Sequence, residues 1–274
     1  MAKRDDFYTV LTDAVNDILE HGYDKEERIA YWTERLRKSA ERYLSKKSLD
    51  KILRDHLKSI YSRLVTNYGI EKYHFGVNRY TIDKIKPSLR SELDRRIMAS
   101  ANLIKLNRET AIQDTLQRFQ GWSTSIPAGG AEYASRSEAK KGIRKSLSSM
   151  SFRERRVLID QGHKLVSSIN DIVAVDGGAI AAVWESHWRQ SGYNYRPDHK
   201  ERDGKVYAIR GNWALETGIM KKGSAGYTDE ITTPGQEVYC RCNYKYIYNL
   251  RDLPRDMLTT RGLDALEQAR EKIL

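Results

Sequence analysis

Val238-Tyr239-Cys240-Arg241-Cys242-Asn243-Tyr244-Lys245-Tyr246-Ile247-Tyr248 decides the fold class. Residue types alternate along it with a period of two. Val238, Cys240, Cys242, Tyr244, Tyr246 and Tyr248 share one face, and Tyr239, Arg241, Asn243, Lys245 and Ile247 share the other. That period belongs to a half-buried β-strand. Two shorter stretches upstream read the same way. Ala179 to His187 is short and apolar, and Lys205 to Ile209 follows an Asp203-Gly204 turn signal. The C-terminal third is therefore expected to hold a small antiparallel sheet.

The first 120 residues follow a helical period instead. Val10, Leu11, Ala14, Val15, Ile18 and Leu19 form one stripe that Gly22 ends. Ile29, Trp32, Leu36, Ala40 and Tyr43 form a second, opened by a capping-box pattern of Asp24 with Glu27. Ser48 is positioned to cap a third helix carrying Ile52, Leu53, Leu57, Ile60 and Leu64, with His56 as a core or boundary histidine. Residues 70–86 fit a short hairpin or an irregular connector. Pro87-Ser88 then starts a long pattern through Leu89, Leu93, Ile97, Ile104, Ala111, Ile112, Leu116 and Phe119. Gly121, Pro127, Gly129 and Gly130 mark a linker or extended arm over 121–135. Ser151 and Glu154 give another capping box, opening a helix through Val157, Leu158, Leu165, Val166 and Ile169, and a charged helix begins near Arg261. The expected class is α+β: a mainly α-helical N-terminal body with a small mixed α/β C-terminal domain containing a short antiparallel sheet. Its segments are 1–120 helical, 121–135 linker, 136–254 α+β domain and 255–274 helical tail.

Of 274 residues, 39% are hydrophobic and 31% charged, which suits an extended helical body with much solvated surface. No apolar run approaches the roughly 18 residues of a membrane span. The first residues carry no apolar secretory stretch, so cytosolic synthesis is expected. The net charge of +11 favours polyanionic partners. The excess concentrates in Arg136, Lys140, Lys141, Arg144, Lys145, Arg153, Arg155 and Arg156, eight cations against two acids between Arg136 and Arg156. That stretch reads as a solvated helix face or as a contact for DNA or an acidic partner. No base-reading module is recognisable, so DNA contact would be to phosphates and salt-sensitive.

Both cysteines lie in the 238–248 stretch. On a strand, Cys240 and Cys242 have Cα atoms about 6.7 Å apart with side chains on one face. That distance is at the outer limit for a disulfide, and a cytosolic compartment disfavours one. With His199 and Asp203 the thiols make a candidate metal set, although the spacing is not that of the usual paired zinc knuckles. Packing of two small side chains under a turn is the plainer reading. His199, Asp203 and Cys240 also supply a base, an acid and a nucleophile, so a nuclease or transferase is an alternative. No nucleophile elbow, P-loop or HExxH spelling accompanies them, and no cofactor is expected.

The order of these elements resembles a known family. An apolar strand with Trp184 is followed by Arg196-Pro197-Asp198-His199, then Asp203-Gly204-Lys205. A glycine-bearing variable loop leads to Pro234 and Cys240-Arg241-Cys242. This is similar to the head morphogenesis, or minor head protein, family of tailed bacteriophages, the Mu F-like group. The likeness covers roughly residues 180–245, about a quarter of the chain. Tyr239 stands where the family usually has Asn, and Arg202 where it has Leu before Asp-Gly. The resemblance implies a structural, non-enzymatic virion component in the head interior or at the portal vertex, assembled in the host cytoplasm. Its implied partners are the portal protein, the major capsid protein and packaged double-stranded DNA. Arg196, His199, Asp203, Gly204, Cys240, Arg241 and Cys242 carry over as fold-defining positions. A free DNA-binding protein is the remaining alternative.

Overall fold

The computed structural model describes residues 6–45 and 49–271. The class expected from sequence is the one observed: a mainly helical chain with one three-stranded antiparallel sheet. The helices are α1 (Phe7–His21), α2 (Glu26–Ser45), α3 (Leu49–Tyr61), α4 (Arg79–Ser123), α5 (Arg136–Ser148), α6 (Met150–Asp176), α7 (Pro197–Glu201), α8 (Trp213–Glu216) and α9 (Thr260–Glu271). The strands are β1 (Ala181–Glu185), β2 (Val206–Ala208) and β3 (Asn243–Ile247). The chain divides into two compact units, each discontinuous in sequence: residues 1–53 with 99–158, and residues 54–98 with 159–274. These units cut across the linear segments drawn from composition, because α3, α4 and α6 each contribute to both.

In the first unit the two N-terminal stripes are buried as their spacing requires. Val10, Leu11, Ala14, Val15, Ile18 and Leu19 of α1 pack with Ile29, Trp32, Leu36 and Ala40 of α2, and with Ala111, Leu116 and Phe119 of α4 and Ile143 and Leu147 of α5. Asp17 fixes the pairing. Its carboxylate accepts from Trp32 Nε1 at 2.7 Å and from Arg28 at 2.9 Å. Asp24 is also bound by Arg28, at 2.9 Å. The Ser48 cap lies outside the described residues.

Residues 121–135, expected as a linker or extended arm, pack against the end of α1. α4 continues to Ser123, and the residues after it close the end of α1. Leu19 and His21 have carbonyls that the last turn of α1 cannot satisfy internally. Ala131 and Gly129 donate to them at 2.9 and 3.0 Å, and Tyr23 N–H donates to Ile126 O at 3.2 Å. The contact is backbone on backbone, so it demands glycine. A Cβ on Gly22 (φ +74°) would sit 1.8 Å from Pro127 O, and one on Gly130 (φ +92°) 2.4 Å from Leu19 O.

Two other boundaries move. α4 starts at Arg79, eight residues before Pro87, because Asn78 Oδ1 accepts from Thr81 N–H at 3.0 Å and Ile82 and Ile85 are buried in the added turns. That capping and burial offset the hydrogen bond Pro87 cannot make. Residues 69–72 form a 3₁₀ turn, so 70–78 is the irregular connector and not a hairpin. α6 begins at Met150, and Glu154 is not part of a capping box. It is buried and pairs with Arg108 at 3.1 Å.

In the second unit β1 is the central strand, with β2 and β3 on either side. Ala182 pairs with Tyr207 and Tyr246, and Trp184 with Tyr244. Alternation along β1 splits the core. Ala181 and Val183 face a cluster with Ala208, Ile247, Met220 and Leu258. Trp184 faces Tyr207, Tyr244, Cys240 and Cys242. His74 is buried in the same unit. It bonds Asn170 at 3.0 Å and Tyr248 OH and stacks on Tyr246, and burial pushes its pKa below the ordinary histidine value.

Candidate functional site

β3 begins only at Asn243, so the two cysteines precede the strand. The alternation of 238–248 holds for its second half alone. The first half is a turn: Cys240 N–H donates to Glu237 O at 3.2 Å, and Tyr239 takes a left-handed conformation at φ +60°. A non-glycine residue there is strained, and something must hold it. Asp160 of α6 does so, accepting from Tyr239 N–H at 2.6 Å, while Lys164 lies 3.2 Å from the same carboxylate. Tyr193 ties the turn from the other side: its hydroxyl donates to Tyr239 O at 3.3 Å and accepts from Arg241 N–H at 3.2 Å.

The Arg196–Lys205 string folds onto this turn. Pro197 starts the short α7, whose single turn carries His199 inward to 1% exposure. His199 Nδ1 lies 3.7 Å from Cys240 Sγ and 3.5 Å from Cys242 Sγ. The three donor atoms fall within 4.8 Å of one another, and all three residues are buried. Both thiols are free. On the far side of the ring, His199 Nε2 is 3.1 Å from Glu237 Oε2, an ion-pair distance without hydrogen-bond alignment. Arg196 Nε lies 2.7 Å from the same Glu237 oxygen and its NH2 donates to Val238 O at 2.9 Å. The edge of Trp184 meets the His199 ring at 5.1 Å.

The thiols share one proton-binding system. Cys240 is lowered below the ordinary thiol range, first by the hydrogen bond from Cys242 and then by backbone N–H groups of Gly235 and Cys242. Cys242 is raised, because it donates that bond and is buried beside the resulting thiolate.

Other expected site residues take other places. Asp203 does not join the cluster. Its carboxylate accepts from Ser186 N–H at 2.8 Å and Trp188 Nε1 at 2.9 Å, and the Ser186 amide holds its pKa below the usual range. Gly204 (φ +78°) makes the turn into β2 and donates to Trp184 O at 2.8 Å. Arg241 bonds Gln190 at 3.2 Å and lies over the Tyr193 ring. The acid–base–nucleophile set of the enzyme alternative is thus split, with Asp203 on the Ser186 loop and His199 on the thiols.

The basic stretch belongs to the first unit. In α5 the stripe Ala139, Ile143, Ser146 and Leu147 is buried, which turns the cations outward. Arg136, Lys141, Arg144, Lys145, Arg155 and Arg156 are exposed, and Lys140 and Arg153 half-buried. Arg136 bonds Asn16 at 3.3 Å, Lys141 lies 3.9 Å from Glu138, Arg144 lies over Tyr8 and Arg156 over Phe152. Lys140, Lys145, Arg153 and Arg155 have no acidic partner among the described residues.

Sequence reasoning missed Asp160, Tyr193 and Glu237. Glu237 carried a signal, lying three residues before Cys240, but Asp160 and Tyr193 reach the turn from 79 and 46 residues away. No family model, curated protein or solved structure matches the chain. No helix among the described residues is long and apolar enough to cross a membrane.

Proposed function

We propose that this chain is a structural minor head protein of a tailed bacteriophage, acting in head morphogenesis and in genome packaging or ejection near the portal. One observation carries the reading. The two strings that make up the family-like signature, about 40 residues apart in sequence, meet in a single clasp: Arg196 on Glu237 and Val238, His199 on both thiols. Residues that serve as fold-defining positions are expected to converge in this way. The partners under this reading are the portal protein, the major capsid protein and packaged DNA, with the protein in the head interior or at the portal vertex after assembly in the host cytoplasm.

The cations of α5 and early α6 are the proposed DNA contact. Six of the eight are exposed, and four of the eight have no acidic partner among the described residues. Contact there is to phosphates, so affinity falls steeply with salt, by about 0.9 in log–log slope for each phosphate neutralised. Glutamate at Lys140, Lys141, Arg144 and Lys145 together is expected to flatten that slope, weaken DNA binding more than tenfold at low salt and reduce DNA content of particles, with unchanged thermal unfolding. Filter binding across a salt series and DNA quantification of particles check this. Unchanged binding, incorporation and DNA content would remove the assignment.

A further inference from the structure

We propose that His199 Nδ1, Cys240 Sγ and Cys242 Sγ hold a zinc ion that locks the Arg196–Lys205 string onto the Cys-Arg-Cys turn. The inference is independent of the virion reading and rests on four observations.

The first is distance. Tetrahedral zinc with Zn–N of about 2.0–2.1 Å and Zn–S of about 2.3 Å sets N and S roughly 3.6 Å apart. The two separations here are 3.7 and 3.5 Å. The second is valence. A neutral imidazole nitrogen offers one lone pair, which can accept one S–H hydrogen bond. Two thiols converge on that one nitrogen, and an ion among the three atoms would bond all of them at once. The third is the outer face of the ring. Glu237 stands 3.1 Å from Nε2, held there by Arg196 at 2.7 Å. A carboxylate behind a ligating histidine fixes the tautomer with its proton on Nε2 and frees Nδ1 to bind metal. The fourth is charge. Two thiolates and a neutral imidazole balance the charge of Zn²⁺, and a neutral centre is what a site with ligands no more than 3% exposed tolerates.

Soft sulfur donors with one imidazole select zinc over calcium or magnesium. The protons still carried by the thiols pass to solvent as the ion binds. The fourth tetrahedral position falls to water or to the Ser186 hydroxyl, 3.9 Å from Cys242 Sγ. The strained Tyr239 belongs to the same turn, so the ion would help hold a conformation that the backbone resists.

The test uses the full chain purified under reducing conditions. Elemental analysis is expected to give about one zinc per chain. After removal by chelator, the thermal midpoint is expected to fall and to recover on adding Zn²⁺, and Co²⁺ in its place should produce a thiolate-to-cobalt charge-transfer band. Glu237→Gln lies outside the ligand set and leaves a fold to measure if Cys242→Ser or His199→Ala does not. It should keep the cobalt band while weakening zinc affinity about 10–100-fold. A folded, reduced chain that contains no zinc and shows no cobalt band overturns the proposal. So does a Glu237→Gln variant with unchanged zinc affinity, or a Cys240–Cys242 disulfide in the protein as purified.

Discussion

Trp184→Ala is expected to lower the stability of the sheet-bearing unit by about 3–5 kcal/mol, the range for deleting a fully buried large aromatic. Trp184 is 0% exposed and sits on the central strand. It packs edge-on to His199 at 5.1 Å and Tyr244 at 5.5 Å, and Arg202 lies over its ring at 5.0 Å. Its indole Nε1 has no hydrogen-bond partner among the described residues, so the loss is one of packing and cavity formation. The cavity would open directly beneath the His199–Cys240–Cys242 cluster. Trp213→Ala is the matched control: that ring is 42% exposed, and its removal should cost less than about 1 kcal/mol. Urea unfolding followed by circular dichroism measures both, and equal losses for the two variants would contradict the packing described.

Arg108→Ala is expected to cost about 3–5 kcal/mol in the other unit, because it strands a buried carboxylate. Glu154 is 4% exposed, and Arg108 Nε lies 3.1 Å from it with the two side chains 16% and 5% exposed. The cost comes from the uncompensated charge. Adding Glu154→Leu to Arg108→Ala should therefore recover most of it, a non-additivity that a double-mutant cycle reads directly. Lys105→Ala supplies the comparison. Its pair with Glu109 spans 4.0 Å with side chains 78% and 58% exposed, and its loss should stay within about 0.5 kcal/mol. A single-variant loss near that of Lys105→Ala would show that Glu154 is solvated.

What the sequence made legible was what local period carries. The stripes of α1 and α2 and the alternation of Tyr244, Tyr246 and Ile247 turned out to be the faces they implied, since burial of one face selects one register. The cations of α5 read as a solvated helix face or a partner contact, and the buried Ala139, Ile143 and Leu147 of the same helix turn them outward. The errors share a cause. At 238–242 the pattern alternates, but Asp160 captures the Tyr239 amide from 79 residues away and turns strand into a left-handed turn. At 150–154 a capping-box spelling is overridden by Arg108, and at Pro87 a helix-start signal by the Asn78 cap and the burial of Ile82 and Ile85. Among the glycines of 121–135, which read as a linker or extended arm, Gly130 permits close backbone approach to α1. At the candidate site the residue types were readable. The meeting of His199 with both thiols, and the departure of Asp203 to Ser186 and Trp188, were not, because each depends on how α7 packs.

The proposed role of the protein as a built-in part of a phage head is tested most directly by the protein composition of purified particles. Quantitative mass spectrometry of DNA-filled tailed particles, produced by cells carrying the gene, is expected to find the chain at a low, fixed copy number relative to the portal and major capsid proteins. Particles that lack the chain, while the producing cells contain it in soluble form, would contradict the account.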